Sequence, residues 1–326
     1  MPDDTKFEKV EGTDLTTGLV MQEKATESEY VWIEVPRTEQ VYPTAGTNIK
    51  NFTDEEYTKI ETDLHTYTKD YKAGTTSSDY SDVYSADSTT GWFTETGDTS
   101  YDKAKKKMLK SVYQNGGFWI GRYEAGIEKN RTASGAAKTT PLSKANLYPY
   151  TYVTRTQAKV LAEQVESGSY TSSLMFGVQW NLVMKYLETK GATTQANLNR
   201  KSSAIGNYFD VKRTLIRGKY ASINDLTNWY DYNKNLADCV QNGKTMGKMP
   251  VLFTTGASDE TKLNNIYDIA GNAFEWILEK ATDKQGTCTY AGGGFVSPSS
   301  AAAASSHYGY SNSHCDNSVG FRISIY

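Results

Sequence analysis

The sequence is short of several residue types, and each shortage narrows the class of protein. Its 326 residues include only three cysteines, Cys239, Cys288 and Cys315, with no CxxC pair among them. An odd number of cysteines without metal-ligand spacing argues against a disulfide framework and a zinc site, although a single bridge stays open. The three histidines show no i, i+4 pair either. We therefore expect a fold that neither disulfides nor zinc hold together.

Neither sign of charge dominates, and long apolar runs are missing. The formal net charge is −3, whereas a nucleic-acid-binding domain carries a basic stripe. The one basic run, residues 103–110, falls in a helical pattern and is interpreted as a solvated helix face. No stretch approaches the roughly 18 apolar residues of a membrane span, and residues 1–12 are too polar for a signal peptide. We expect no nucleic-acid partner and no membrane span.

The sequence does contain 24 tyrosines and one segment of unusual composition. Residues 297–318, SPSSAAAASSHYGYSNSHCDNS, are called the small-residue segment below. They use only nine residue types and contain no Lys, Arg, Glu or large aliphatic residue. Small polar residues mixed with Tyr and His are typical of binding loops. A plain Ser/Ala-rich surface loop is the other interpretation of this composition.

Hydrophobic periodicity and turn residues predict strands and helices separated by long loops. Predicted strands cover 30–36, 118–125, 292–296 and 319–326. Predicted helices cover 53–71, 101–114, 154–167 and 178–189. Residues 73–100 and 191–263 are expected to be mostly loops.

Two helix starts carry local capping signals. Thr53 with Glu56, and Thr154 with Gln157, have the S/T-x-x-E/Q spacing of a capping box. In that motif the hydroxyl and the longer side chain satisfy backbone N–H groups that the first helical turn leaves without partners. These two boundaries follow from residues three positions apart.

Five separated blocks resemble, in the same order, the signature of the formylglycine-generating-enzyme (sulfatase-modifying-factor) family. They are FWIGRYE (118–124), LMFGVQW (174–180), NNIYDIAGNAFEW (264–276), GGGF (292–295) and GFR (320–322). The resemblance implies an α+β fold of the C-type lectin-like type, rich in long loops. It implies one domain over 30–326 after a polar N-terminal segment, 1–29. Residues 37–115 would be a helical insertion that props the binding face or mediates assembly.

The same blocks supply the residues expected to form the scaffold. Their glycines would allow positive φ and close approach of two backbones, and their aromatic residues would anchor a tight turn. Arg322 either pairs with an acid such as Glu275 or stays solvated, and the sequence leaves both alternatives open. The predicted scaffold residues are Gly271, Asn272, Glu275, Trp276, Gly293, Phe295, Gly320, Phe321 and Arg322.

The chain departs from this family where the resemblance places the chemistry. Aligning AGGGF (291–295) on the family's RGGSF block puts Ser297 at the position of the first catalytic cysteine and Ala302 near the second. A serine hydroxyl cannot replace a thiolate as nucleophile or soft-metal ligand at neutral pH. We expect no catalytic residue and no oxidase activity. A degenerate formylglycine-generating-type oxidase is the alternative.

Two groups of residues are candidate metal ligands. The first is His307, His314, Cys315 and Asp316, and the second is Asn264, Asn265 and Asn272. Adjacent residues of one strand cannot easily chelate one ion, so no metal is expected at the first group. At the second group the family resemblance implies calcium, and asparagines that satisfy turn backbones are the alternative. We expect no cofactor, with calcium as the open alternative.

The nine residue types of the small-residue segment also suggest an origin. All nine have codons ending in a pyrimidine, and most are reached from an asparagine codon by replacing adenines. The segment therefore resembles the variable region of proteins diversified by retroelements, the diversity-generating retroelement variable proteins. These have the same lectin-like fold, with variation placed between GG and a terminal GFR. The resemblance implies a ligand- or receptor-binding display protein on a phage particle or bacterial cell surface.

On this interpretation the small-residue segment contacts a variable protein or glycan ligand on a cell surface. Tyr308 and Tyr310 would supply the largest contact area, because aromatic side chains dominate such interfaces. A lectin with a fixed carbohydrate site is the alternative. The predicted ligand-binding residues are Ser297, Ser299, Ser300, Ser305, Ser306, His307, Tyr308, Tyr310, Asn312, His314, Asp316 and Asn317.

Overall fold

A computed structural model of the chain describes residues 5–72, 80–81, 101–233, 250–281, 288–311 and 313–326. The architecture is mixed α+β, with several small sheets, as the sequence predicts at that level. The helices are α1 (Asp54–Tyr67), α2 (Lys69–Lys72), α3 (Tyr101–Asn115), α4 (Arg155–Glu163), α5 (Gly177–Thr189) and α6 (Gln195–Asn199). Short 3-10 turns lie at Ser202–Ala204 and Asp259–Thr261.

The strands are short and spread along the whole chain. In the first half they are β1 (Phe7–Lys9), β2 (Val20–Glu23), β3 (Glu29–Glu34), β4 (Tyr80–Ser81), β5 (Gly117–Gly121), β6 (Gly126–Ile127), β7 (Tyr148–Pro149) and β8 (Ser172–Leu174). In the second half they are β9 (Lys219–Ser222), β10 (Asp225–Asp231), β11 (Val251–Phe253), β12 (Lys262–Leu263), β13 (Ile266–Tyr267), β14 (Phe274–Ile277), β15 (Lys280–Ala281), β16 (Cys288–Ala291), β17 (His307–Tyr310), β18 (Val319–Phe321) and β19 (Ile323–Ile325).

A six-stranded antiparallel sheet joins both ends of the chain, in the order β1-β2-β3-β5-β19-β8. The strands predicted over 30–36 and 118–125 are β3 and β5, so both predictions are confirmed. The sequence describes residues 1–29 only as a polar segment, yet β1 and β2 lie in this sheet. Phe7, Val20 and Met21 are buried there. Strands of three and four residues are too short to show an alternating pattern.

The predicted helices all form, and both capping signals act. The Thr53 hydroxyl accepts a hydrogen bond from the backbone N–H of Glu56 at 3.3 Å. The complete capping box forms at Thr154 with Gln157. Helix α4 ends four residues earlier than the sequence predicts, and Val165, two residues beyond its end, is buried in the same apolar cluster as Trp119.

The expectation of loops over 191–263 is wrong in part. Helix α6 and the three-stranded sheet β10-β9-β11 lie in this range. The longest of these strands, β10, buries only Leu226, and its other residues are exposed or half-buried. A strand without alternating apolar residues gives no period-2 signal in the sequence. Backbone pairing with β9 holds β10 in its extended conformation.

A four-stranded sheet carries the C-terminal part of the fold, in the order β17-β16-β14-β18. Strand β14 pairs antiparallel with β16 and parallel with β18. The strand predicted over 292–296 is wrong: the strand is β16, and the glycines after it turn the chain. Gly292 and Gly293 have φ of +92° and +74°, and positive φ is incompatible with a β-strand.

The last residues form two strands instead of one. Strands β18 and β19 belong to different sheets, and Arg322 lies between them. Both faces of this segment are buried, because Arg322, Ser324 and Tyr326 are as buried as their apolar neighbours. One apolar cluster includes Phe321 and Tyr326, and a second, beneath the six-stranded sheet, includes Ile323 and Ile325.

The helices of the predicted insertion pack into the main hydrophobic cluster. Ile60 and Leu64 of α1, and Met108 and Val112 of α3, are buried in it. The basic run of α3 is partly paired rather than fully solvated: Lys105 bonds Glu61 at 2.8 Å, and Lys106 bonds Asp54 at 2.6 Å. Most of the loop predicted over 73–100 lies outside the described residues. Among the described helices, none combines the length and the apolar character that crossing a bilayer requires.

Candidate binding surface

A buried ion pair lies beneath the four-stranded sheet. The guanidinium of Arg322 donates hydrogen bonds to Glu275 at 2.6 and 3.1 Å, and further ones to the carbonyls of Gly121 and Tyr267. Both members of the pair are at most 1% exposed. The sequence leaves open whether Arg322 pairs with an acid or stays solvated, and in the structure it pairs with Glu275. The pair ties β14 to the start of β19.

Burial raises the pKa of Glu275, and Arg322 opposes that rise. Burial also raises the pKa of Glu124 well above its usual value, and the nearby carboxylates of Asp268 and Glu275 add to the effect. Glu124 accepts hydrogen bonds from the side chain of Asn272 at 2.6 Å and from the backbone N–H of Ala273 at 2.9 Å. The carboxylates of Glu124, Asp268 and Glu275 thus all interact electrostatically with Arg322.

The turn before β14 needs its glycine. Gly271 has a φ of +72°, and a Cβ there would overlap the carbonyl oxygen of Asn207. The next residue, Asn272, also has positive φ, and its carbonyl oxygen accepts a hydrogen bond from Phe295 N–H at 2.7 Å. This turn therefore fixes the point at which the chain enters the small-residue segment.

Helix α5 and residues 198–210 hold the first part of the small-residue segment mainly through its backbone. The indole N–H of Trp180 donates to the carbonyl of Ala304 at 3.0 Å, and Ala304 N–H donates to the hydroxyl of Ser202 at 2.8 Å. Ser299 N–H donates to Asp210 at 2.9 Å. A bond to a main-chain atom does not depend on the side chain at that position. This anchorage is therefore largely independent of the sequence of the segment.

Four of the predicted ligand-binding residues are buried by this anchorage. Ser299, Ser305, Ser306 and His307 are at most 5% exposed. The Ser299 hydroxyl bonds Asp210 at 3.0 Å. His307 Nδ1 lies 2.6 Å from a carboxylate oxygen of Glu279, and both side chains are buried. The structure therefore places these four beneath the surface of the free chain.

A platform of aromatic rings backs the second part of the segment. Tyr290 of β16 lies at its centre, 4.6 Å from the Phe274 ring, 5.4 Å from Trp276 and 5.7 Å from Tyr308, measured between centroids. Tyr290 is also stacked with Tyr310 at 5.5 Å. Tyr290 faces Tyr308 across the strand pair β16–β17, which explains their contact. Tyr290 is not among the predicted residues, and its place two residues before the glycine turn at Gly292 is the signal that could have found it.

The displayed side chains are those of Tyr308, Tyr310 and His314. Tyr310 is 36% exposed, Tyr308 is half-buried, and the His314 ring lies 3.9 Å from Tyr310. His314 also pairs with Asp316 at 3.3 Å. Burial works against the ionised form of Asp316, but hydrogen bonds from His314 and Ser318 outweigh it and hold the pKa of Asp316 below its ordinary value. These residues form one continuous exposed group, called the aromatic patch below.

The other predicted ligand-binding residues differ in exposure. Ser300 is exposed, and Ser297 and Asn317 are half-buried. Asn312 lies outside the described residues. The described members of this group are polar and have short side chains.

The candidate calcium asparagines occupy tight turns. Asn264, Asn265 and Asn272 have φ between +43° and +66°, so the turn alternative that the sequence leaves open is the one observed. Asn265 Oδ1 accepts a hydrogen bond from Arg122 at 3.2 Å, and Asn272 Oδ1 accepts one from Phe253 N–H at 3.0 Å. Among the described residues, no group of three or more His, Cys, Asp or Glu is placed to hold a metal ion.

Residues at the positions of the family's catalytic cysteines have no thiol chemistry to offer. Ser297 is half-buried at the start of the segment, and Ala302 is 2% exposed. Cys315 carries a free, partly exposed thiol, Cys288 is buried in β16, and Cys239 lies outside the described residues. The described part of the chain forms no disulfide.

No protein-family model matches the sequence. No curated protein is significantly similar to it. Two solved structures are similar in fold. The crystal structure of CarF matches with a TM-score of 0.38 and 13% identity, over 64% of this chain and 85% of that one. Variable protein 1 of Treponema denticola matches with a TM-score of 0.34 and 11% identity, over 64% and 84%. The second of these structures is named as a variable protein.

Proposed function

We propose that this chain is a non-catalytic display protein that binds its ligand through the aromatic patch, and that the small-residue segment is its diversified region. The observation that carries the proposal is that one part of the segment is anchored to the scaffold and another part presents its side chains at the surface. Scaffold groups hold its main chain, while Tyr308, Tyr310 and His314 are displayed on a buried aromatic platform. Such an arrangement tolerates changes of side chain because its anchors are main-chain atoms.

The chemistry of the patch suits binding. Tyrosine offers a large contact area with few rotatable bonds to freeze, and short polar side chains offer adaptable hydrogen bonds. Hot spots of interfaces are enriched in Tyr and lie within a ring of residues that exclude water. Tyr308 and Tyr310 are partly exposed tyrosines that pack on the buried ring of Tyr290, which suits such a role. The partner class that fits is a protein or glycan surface.

We also propose the C-type lectin-like fold of the formylglycine-generating type, as one domain with residues 37–115 inserted. The positive-φ turn at Gly271 and the buried pair of Glu275 with Arg322 support it, since both occur in the blocks that carry the resemblance. The shared hydrophobic cluster of α1, α3 and α5 supports a single domain. Ser297 and Ala302 at the cysteine positions support the absence of oxidase activity.

Two matched libraries test the display function. One randomises four exposed or partly exposed positions, Ser300, Tyr308, Tyr310 and His314. The other randomises the buried positions Ala304, Ser305, Ser306 and His307. We expect the first library to stay folded and to yield binders selective between two unrelated target proteins, and the second to lose folded protein. Equal folding of both libraries, or no selective binder from the first, would sink the proposal.

The diversification itself is tested on the gene. We expect a near-repeat of the codons for 297–318 close to the gene, differing at adenines, together with a reverse transcriptase gene. A flank without either would remove the retroelement from the proposal. Incubation with a cysteine-containing sulfatase peptide and copper is expected to give no aldehyde, and a clear aldehyde product would overturn the non-catalytic assignment.

A further inference from the structure

A separate cavity of about 220 Å³ lies on the six-stranded sheet. Its walls come from β3, β5, β19 and the turns beside them, with Trp32 and Trp119 among the lining residues. None of its lining residues belongs to the small-residue segment or to the four-stranded sheet. The proposed display function makes no use of this cavity, so it is an independent candidate site.

Two indole rings form one corner of the cavity. Trp32 and Trp119 are directly opposite each other on β3 and β5. Their ring centroids are 5.1 Å apart, and the rings are tilted by 59°. Trp119 is 4% exposed, whereas Trp32 is half-buried. An exposed tryptophan face attracts C–H bonds, because the π-system is negative on its face.

Two polar groups with unused hydrogen-bonding capacity lie at the same cavity. The Asn115 amide nitrogen donates to the Ser111 hydroxyl at 2.9 Å, which leaves the amide oxygen without a donor among the described residues. The Tyr170 hydroxyl likewise has no hydrogen-bond partner within the described ranges. One acceptor and one hydroxyl thus complement the aromatic wall.

The lining contains no charged side chain. An anionic or cationic ligand would lose its hydration there without gaining a counter-charge. The cavity is also smaller than the roughly 300–1,000 Å³ of drug-sized pockets, which limits the ligand to about one ring. A neutral ring with one C–H face and hydroxyl groups around its edge satisfies all of these conditions.

From this combination we infer that the cavity binds a neutral pyranose sugar residue. One C–H face of the pyranose packs on Trp32. Its hydroxyl groups donate to the Asn115 amide oxygen and exchange hydrogen bonds with Tyr170. The site is fixed in sequence and independent of the aromatic patch.

The test uses saturation-transfer-difference NMR on the full chain, with the methyl glycosides of glucose, galactose, mannose and N-acetylglucosamine at about 10 mM each, in the weak-binding range. We expect transfer to the C–H protons of at least one glycoside. Trp32→Ala should abolish this signal, while Trp229→Ala, at another half-buried tryptophan on β10, should leave it unchanged.

Tyr170→Phe keeps the ring and removes one hydroxyl, so it remains informative even where Trp32→Ala fails to fold. We expect about a three- to tenfold weaker affinity from the loss of one neutral hydrogen bond. Tyr232→Phe, at an exposed tyrosine, is the matched control. No transfer to any of the glycosides, or equal transfer in Trp32→Ala, would overturn the inference. A dimer that Trp32→Ala dissociates, without any sugar signal, would instead identify the cavity as a subunit interface.

Discussion

The two halves of the small-residue segment differ in composition and in how they are held: the first is rich in Ser and Ala, and the second contains the two tyrosines and both asparagines. Residues 297–307, called the anchored half, include Ser299 and Ala304, both 0% exposed. Residues 308–318, called the displayed half, include Tyr310 at 36% exposure. Small residues in the anchored half let the chain fit under α5, where larger ones would collide. Small residues in the displayed half leave room for the aromatic rings. The comparison shows that small residues serve two different physical purposes within one segment.

The largest expected effect concerns the platform beneath the displayed half. Tyr290→Ala removes a buried ring that contacts Phe274, Trp276 and Tyr308, so we expect the free energy of unfolding to fall by about 3 kcal/mol. Tyr310→Ala, at the exposed end of the same stack, should cost about 1 kcal/mol or less. Urea denaturation followed by circular dichroism measures both. Equal losses would mean that the platform and the displayed rings are not distinct.

A smaller effect separates two alanines of the same segment. Ala304→Leu inserts a larger side chain at a fully buried position, so we expect a loss of about 2 kcal/mol in the free energy of unfolding. Ala301→Leu makes the same change at an exposed position and should stay within about 0.5 kcal/mol. Thermal and urea unfolding of both variants provide the measurement. A destabilised Ala301→Leu would show that burial is not what distinguishes these two positions.

The smallest expected effect is a difference in how stability depends on pH: Glu124 of the scaffold and Asp316 of the segment act in opposite directions. The pKa of Glu124 is raised above the usual 4.5 by burial, so its folded form holds a proton more tightly than its unfolded form. The contribution of Glu124 to the free energy of unfolding is complete below pH 4.5 and is lost as the pH rises through the raised pKa.

The pKa of Asp316 is lowered below 3.8 by its hydrogen bonds, against the effect of burial. Its contribution is present above pH 3.8 and lost as the pH falls.

Melting temperatures across about pH 3 to 8 test both signs. Stability should decline from about pH 5 upward, and Glu124→Gln should flatten that decline because it cannot ionise. Asp316→Asn should lower the melting temperature above pH 3.8, where the ionised carboxylate contributes, and the difference from the wild type should shrink as the pH falls below 3.8. If the melting temperature of the wild type instead rises steadily from pH 5 to 8, the pKa of the buried scaffold carboxylates is not raised in the folded state, and the prediction is wrong.

Sequence reasoning succeeded where the determining contacts are local. The caps at Thr53 and Thr154 depend on residues three positions away, and both form. It failed where contacts are distant along the chain. Asp210 reaches Ser299 across 89 positions, and His307 reaches Glu279 across 28. No local pattern encodes such partners, so the burial of Ser299 and His307 could not be predicted.

The sequence alone is enough to predict the mixed α+β class, the capped helix starts at Thr53 and Thr154, and the unusual composition of residues 297–318. Only the tertiary structure decided which residues of that segment are displayed. Exposure depends on what packs against each position, and Trp180, Ser202 and Asp210 cover the anchored half from other elements. Tyr290 of β16 supports the displayed half from below. Composition sets what a side chain can do, and packing sets whether solvent or a ligand can reach it.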